Sequence, residues 1–220
     1  MDLVSVIITA GGIGKRMDSK TPKQFMLLNS RPVLMHTIAC FNAYDPTFEI
    51  IVSLPTDWHK HWEQLLLDFD FTIPHTVVSG GEERYDSVKN ALKYSNGEVV
   101  LVHDGVRPNV SFKIIEDCIH MVGKTGAVVP TVPVNESMRK VHGHTSKSVD
   151  RNEYILVQTP QCFKKEVLEK AYELPYDATI TDDATLVERS GGLIQTIDGD
   201  HENLKITRSD DLKIVSLYLK

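Results

Sequence analysis

The apolar residues of this 220-residue chain come in short unbroken runs, separated by stretches with helical spacing. Leu3–Thr9 (LVSVIIT), Glu49–Leu54 (EIIVSL), His75–Val78, Glu98–His103 (EVVLVH) and Ala127–Val132 have strand length. Near-continuous hydrophobicity over so few residues marks strands buried on both faces. Between them, Pro32–Tyr44, Trp58–Phe69, Arg84–Tyr94 and Phe112–Val122 repeat apolar residues at helical intervals. Pro32 suits a helix start, where a backbone N–H has no acceptor in any case. The alternation predicts an α/β fold: a mostly parallel, Rossmann-like sheet with helices on both faces and ligands at the carboxyl ends of the strands.

The rhythm breaks between Pro133 and Tyr154. That stretch is polar, and Ser137–Val141 and Ser146–Asp150 flank His142-Gly143-His144. It reads as a β-hairpin arm at about 133–154, with Gly143 in the turn. A two-stranded hairpin is marginal alone, so the arm is expected to dimerise the chain by packing on a second subunit. Ile155–Val157 then returns as a strand. Helices are expected at Lys164–Leu174, Asp182–Ser190 and Asp210–Leu219, with a strand at Leu193–Ile197. Thr181 is the expected N-cap of the second of these helices. No repeat or low-complexity segment appears, and residues 1–220 read as one domain carrying the arm.

A net charge of −6 and a pI near 5.8 argue against general nucleic-acid binding. No apolar run has membrane-spanning length, and no leader is expected before the first strand. Cys40, Cys118 and Cys162 are odd in number and form no C-x-x-C, so reduced thiols in a cytoplasmic protein are expected. His59/His61 and His142/His144 belong to no fuller ligand set, and no zinc site is assigned.

Against this acidic background one cationic loop stands out. Ala10-Gly11-Gly12-Ile13-Gly14-Lys15-Arg16 follows the first strand directly, and Lys20 and Pro22-Lys23-Gln24 come soon after. Glycines let backbone N–H groups approach an anion, and Lys and Arg supply charge, so the loop reads as a phosphate cradle. It is not a dinucleotide fingerprint, because Met17 stands where the third glycine belongs. Nor is it a P-loop: Arg16 follows Gly14-Lys15, removing the magnesium-binding hydroxyl.

Other segments add candidate chemistry. Leu101-Val102-His103-Asp104-Gly105-Val106-Arg107-Pro108 puts a carboxylate at a strand end, where an acid beside phosphates commonly holds Mg²⁺ directly or through water. Arg107 reads equally as an ion-pair partner of Asp104. Gly80-Gly81-Glu82-Glu83-Arg84-Tyr85-Asp86-Ser87 opens a helix, with backbone donors and a hydroxyl able to read a base edge or simply cap the helix.

The order of these pieces resembles the 2-C-methyl-D-erythritol 4-phosphate cytidylyltransferase family from Val4 to the last helix. The matching motifs are AGGIGKRM, PKQF, GGEERYDSV, VHDGVRP, PVNESM, VDR, TPQ, TITDDA and ENLKITR. The resemblance implies a nucleotidyltransferase that moves CMP from CTP to a sugar-alcohol phosphate with Mg²⁺, as a homodimer whose sites the partner arm completes. It places Ala10, Gly11, Gly12, Gly14, Gly80, Gly81, Ser87, Asp104 and Gly105 around CTP, with Asp104 near the ribose and metal. Arg16 and Lys23 hold the phosphates and stabilise the transition state. Arg151 and Lys205 position the attacking phosphate, and Arg107, Ser137, Thr159, Thr181 and Glu202 complete the sugar-phosphate side. The chain departs from the usual family pattern at Gly105-Val106, Ser137 and Glu202. The ribitol-5-phosphate cytidylyltransferases share AGGxGxRM, PKQF and TPQ, whereas the VDR and TDDA pieces favour the methylerythritol family. A nicotinamide-dependent dehydrogenase and a non-catalytic nucleotide-binding protein are the other readings; Met17 disfavours the first. The joint presence of Arg16, Lys23, Arg151 and Lys205 disfavours the second.

Overall fold

The computed structural model describes residues 3–12 and 21–219. Arg16 and Gly14, with the rest of the segment from 13 to 20, lie outside the described residues. The elements follow the hydrophobic pattern closely. β1 (Val4–Thr9) leads through a short hairpin, β2 (Leu27–Leu28) and β3 (Arg31–Pro32), into α1 (Val33–Tyr44). Then come β4 (Glu49–Leu54), α2 (His59–Asp68), β5 (Thr76–Ser79), α3 (Arg84–Leu92), β6 (Val99–Asp104), α4 (Phe112–Thr125) and β7 (Ala127–Pro133). The arm is β8 (Arg139–His142) paired antiparallel with β9 (Thr145–Ser148), and Gly143 in its turn has φ +59°. The chain returns through β10 (Ile155–Val157), β11 (Gln161–Lys164), α5 (Lys165–Ala171), α6 (Asp183–Arg189), β12 (Gln195–Asp198) and α7 (Ser209–Tyr218).

β1 is flanked by β4 and β6, both parallel to it, and β4 carries β5 on its far side. From β1 the chain therefore builds outward through β4 and β5, then crosses back to place β6 on β1's other edge. That reversal makes the carboxyl ends of β1 and β6 a topological switch point, where open α/β sheets bind ligands. The register brings both ends level, with Thr9 opposite Asp104, and the Gly105 N–H donates to the Thr9 carbonyl at 2.9 Å.

Alternation within the strands divides the core between two faces. Val4, Val6 and Ile8 of β1, with Val99 and Leu101 of β6, pack with α1, Trp62 of α2, and Ile114, Ile115, Cys118 and Val122 of α4. On the other face, Ile7, Val100 and Val102 meet α3, α5 and α6. A third, smaller cluster joins Leu28 and Val33 to Ile206, ahead of α7, and to Val215 within it. Among the described residues no helix is long and apolar enough to cross a membrane.

Two expectations need correction. β11 was not anticipated: residues 161–164 form a strand inserted antiparallel between β6 and β7, and helix α5 starts only at Lys165. Two apolar residues framed by Gln and Lys carry too weak a pattern to reveal a long-range pairing. The N-cap of α6 is Asp182, not Thr181. The Asp182 carboxylate accepts from the Thr185 N–H at 2.9 Å and the Thr185 hydroxyl at 2.6 Å, whereas Thr181 is exposed. An ionised acceptor in the cap position makes the stronger bond, so the carboxylate takes it.

Candidate active site

The segment between β10 and β11 shapes the switch point. β10 and β11 both run antiparallel to β7, but residues 158–161 face only residues 129 and 130, so two residues are surplus. The bulge contains the cis Thr159–Pro160 bond and delivers Thr159 to the end of β6. There the Asp104 N–H donates to the Thr159 hydroxyl at 3.1 Å, and that hydroxyl lies 3.1 Å from His103 Nδ1. His103 Nε2 is 3.0 Å from the Arg107 carbonyl, which can only accept, so the proton sits on Nε2. Nδ1 is then the acceptor and Thr159 its donor, and every hydrogen in this buried chain has a defined place. Burial pushes the His103 pKa down to about 4, so the ring is neutral at pH 7.

Asp104 is the charge centre of the site. Burial alone would raise its carboxyl, but Lys205, Arg107 and Arg84 outweigh burial and hold it well below the usual carboxylate range. Arg107 Nε donates to Oδ2 at 3.1 Å and Lys205 Nζ to the same oxygen at 3.0 Å. Arg107 is itself buried, and its Nη1 donates to the Asn203 carbonyl at 2.7 Å. The segment 203–206 is thereby tied to the loop after β6, and the Ile206 N–H donates to the Val106 carbonyl at 2.9 Å. Asn203 Nδ2 reaches the Thr159 carbonyl at 2.8 Å, while the buried Asn203 Oδ1 meets no partner among the described residues.

Around this centre lies a cleft of about 700 Å³, within the range of small-ligand sites. Ala10, Gly11, Gly12, Lys23, Gln24, Gly81, Arg84, Ser87, Asp104 and Lys205 contribute to its walls. Lys23 leaves a short 3-10 turn after Pro22, and its Nζ donates to the Ile206 carbonyl at 3.2 Å. Across the cleft, Ser87 Oγ accepts the Gly81 N–H at 3.1 Å and donates to the Glu83 carbonyl at 3.0 Å, leaving one lone pair. Gly81 must be glycine, because a Cβ there would lie 2.1 Å from that of Asp86. Gly105 is tight but less so, a Cβ there lying 3.1 Å from the Thr9 carbonyl oxygen. Gly80 continues β5, its N–H donating to the Leu54 carbonyl at 2.9 Å.

Not all expected residues converge here. Arg107 and Thr159 lie buried behind Asp104, and Glu202 is exposed on the loop before Asn203. Ser137, Arg151 and Thr181 are exposed and line no part of the cleft. Arg151 sits at the foot of the arm, where its guanidinium donates to the Asn135 carbonyl. Sequence reasoning missed His103 as an anchor and Arg84 as a cleft cation. The Arg84 guanidinium is paired with buried Asp183 at 2.6 Å, and Asp183 also accepts from the Tyr172 hydroxyl at 2.6 Å. Arg84 stood in the GGEERYDSV motif, but nothing local signals a partner 99 residues away. A second cavity, about 530 Å³, lies at the opposite end of β6 and mixes Lys164 and Lys165 with Glu98, Glu166 and Glu169, a poor match for a polyphosphate.

Among the described residues no three His, Cys, Asp or Glu side chains converge on a metal position. A single carboxylate nevertheless suits Mg²⁺ delivered with a triphosphate, which keeps most of its ligands as water and phosphate oxygen. Asp104 fits that requirement, since both cations occupy Oδ2.

Comparison with known proteins decides the family. The model of the 2-C-methyl-D-erythritol 4-phosphate cytidylyltransferase family (IspD) matches residues 4–220. The chain belongs to this family. It is similar to the 2-C-methyl-D-erythritol 4-phosphate cytidylyltransferase of Bacteroides thetaiotaomicron, 44% identical over 216 residues covering 98% of this chain and 99% of that protein. The solved cytidylyltransferase of Francisella tularensis superposes with a TM-score of 0.83 at 30% identity, covering 99% of this chain and 100% of that one. That of Thermus thermophilus gives 0.81 at 28% identity, over 99% and 98%.

The neutral, buried His103 makes a testable statement about stability. Its folded pKa lies below that of the unfolded chain, so protons favour the unfolded state. Stability is full above about pH 6.5 and falls as the pH drops toward 4, by at most about 1.4 kcal/mol per unit from this group. Urea melts at pH 7 and pH 5 should show a steeper loss for the parent than for His103→Gln. Parallel losses in both proteins would contradict a neutral His103.

Proposed function

We propose that the chain transfers CMP from CTP to 2-C-methyl-D-erythritol 4-phosphate, releasing pyrophosphate and forming 4-diphosphocytidyl-2-C-methyl-D-erythritol for isoprenoid biosynthesis. The observation that carries this reading is the convergence of Lys23, Lys205 and the glycine loop on one cleft at the switch point, in a member of this family. Residues 1–220 act as one nucleotidyltransferase domain with the hairpin as its arm. The three cysteines are free, and burial pushes Cys40 up to about 11 and Cys118 up to about 12, in keeping with unreactive thiols in the cytoplasm.

A 4-phosphate oxygen attacks the α-phosphorus of CTP in line, the bond from that phosphorus to the bridging oxygen breaks, and pyrophosphate leaves. The nucleophile is already anionic near pH 7, so no general base is required. Repulsion between two anionic reactants is the main barrier, and catalysis is positioning plus charge neutralisation. Arg16 and Lys23 hold the triphosphate and stabilise the transition state, while Lys205 and Arg151 receive the acceptor phosphate. Gly11 and Gly12 offer backbone donors to the phosphates. The Ser87 lone pair, with the Gly80-Gly81 backbone, accepts from the cytosine amino group; the carbonyl of uracil in the same place would meet oxygen against oxygen. Asp104 and Gly105 face the ribose. Mg²⁺ bound with CTP at Asp104 would neutralise phosphate charge. Arg107 and Thr159 act through Asp104, and Ser137, Thr181 and Glu202, which line no part of the cleft in this chain, are assigned to the acceptor side on the motif order alone.

Because Ser137 and Arg151 stand outside the cleft, we assign them to the site of a second copy. The arm's strands are almost wholly exposed, and Ile155, Leu156 and Val157 beside them are 41–54% exposed, an apolar edge suited to a twofold partner.

Pyrophosphate release with CTP and a panel of sugar phosphates tests the assignment. Methylerythritol phosphate should exceed ribitol 5-phosphate by far, with UTP and ATP poor donors; equal kcat/KM for the two acceptors would contradict it. Lys23→Met should lower turnover about 10²–10³-fold, as for loss of one preorganised donor. Co-refolding Lys23→Met with inactive Arg151→Met should restore activity, since a mixed dimer holds one intact site. A mixture as inactive as its parents, with mixed dimers present, would place Arg151 in its own subunit.

A further inference from the structure

The ladder between β1 and β4 ends one hydrogen bond early. In this parallel register Thr9 is level with Ser53, and the Ala10 N–H still donates to the Ser53 carbonyl at 2.9 Å. The same register would offer the Ala10 carbonyl to the N–H of residue 55. Residue 55 is Pro55, which has none. Gln24 takes the vacated place: its Nε2 donates to the Ala10 carbonyl at 2.7 Å, and the side chain is 2% exposed. A carbonyl only accepts, so the Gln24 amide has one permitted orientation here.

The bond fixes more than the end of a strand. The Ala10–Gly11 peptide is planar and trans, so its N–H points opposite to its C=O. With the register of β1 continued through Ala10, whose N–H is already bonded to β4, the carbonyl lies on the β4 side and the Gly11 N–H on the β6 side, where the strand end carries Asp104 and Gly105. Gly11 lines the cleft, and its N–H meets no acceptor among the described residues. Lys23 directly precedes Gln24, so the same side chain ties the turn carrying that cation to the loop carrying the donor. Building on the nucleotidyl-transfer reading above, we infer that Gln24 is a positioning residue: it aims the Gly11 N–H at the bound nucleotide and sets the spacing between that donor and Lys23. Its effect falls on the CTP side of the reaction and not on the acceptor side.

Pyrophosphate release separates this role from simple packing. Q24M should lower kcat/KM for CTP about tenfold to hundredfold, with the acceptor KM within about twofold of the parent. The substitution P55A restores an N–H at the position the register prescribes. Relative to P55A alone, the double variant Q24M/P55A should therefore recover at least about fivefold of the loss. Circular dichroism checks folding, and Q24N, whose amide is one methylene too short to reach, takes the place of Q24M if that variant does not fold. An active parent with an unchanged variant, or a loss that P55A leaves untouched, overturns the inference alone. A parent that transfers no cytidylyl group overturns the functional reading on which it rests.

Discussion

One carboxylate oxygen organises this site. Asp104 Oδ2 receives Arg107 from three residues away and Lys205 from the far end of the chain. A buried ion pair contributes little net stability when its desolvation is counted, but losing one partner leaves the other charge uncompensated and costs several kcal/mol. The consequence is positional: the segment carrying Lys205 cannot leave the sheet end without exposing that imbalance. Arg107, anchored at its other end on the Asn203 carbonyl, turns the ion pair into a rigid strut. Behind it, the Thr159–His103 hydrogen-bond chain holds the Asp104 backbone itself.

This arrangement suits a reaction between two anions. The cleft needs cations, yet unpaired cations in a confined space repel one another and loosen the loops that carry them. Holding Lys205 on Asp104 keeps a lysine in place at the cleft with its side chain 44% exposed, as its proposed role toward the acceptor phosphate requires. Arg84 is treated similarly by Asp183. The Lys23 turn is anchored differently, through the neutral Gln24 amide and through the Phe25 ring among Trp58, His61 and Trp62. Charge pairing and backbone hydrogen bonding thus divide the task of preorganisation.

The legible part of the fold followed from burial. Runs such as LVSVIIT and EVVLVH must be covered on both faces, and once strand and helix alternate, the switch point and its strand-end acid follow from topology. The arm was legible because a polar, aperiodic stretch interrupts that rhythm. Contacts across long sequence separations were not. β11 has two apolar residues and depends on neighbours 59–65 residues away in β6 and 34–36 away in β7. The exchange of a ladder donor between Pro55 and Gln24 is invisible until the register is known, and the Asp182 cap competes with an equally plausible Thr181 one position earlier. The motif order brought the site residues to notice, but only geometry separates those lining the cleft from Arg107 and Thr159 behind it and Arg151 beyond it.

The most direct test of the Asp104 strut is a double-mutant cycle on stability, using Asp104→Asn and Arg107→Gln in denaturant melts at pH 7. Asp104→Asn alone should cost roughly 3–5 kcal/mol, because it strands a buried guanidinium. The double variant should be less destabilised than the sum of the singles by about 1–3 kcal/mol. Strictly additive losses would mean that the two side chains do not support one another, and that this carboxylate does not hold Arg107 as a strut.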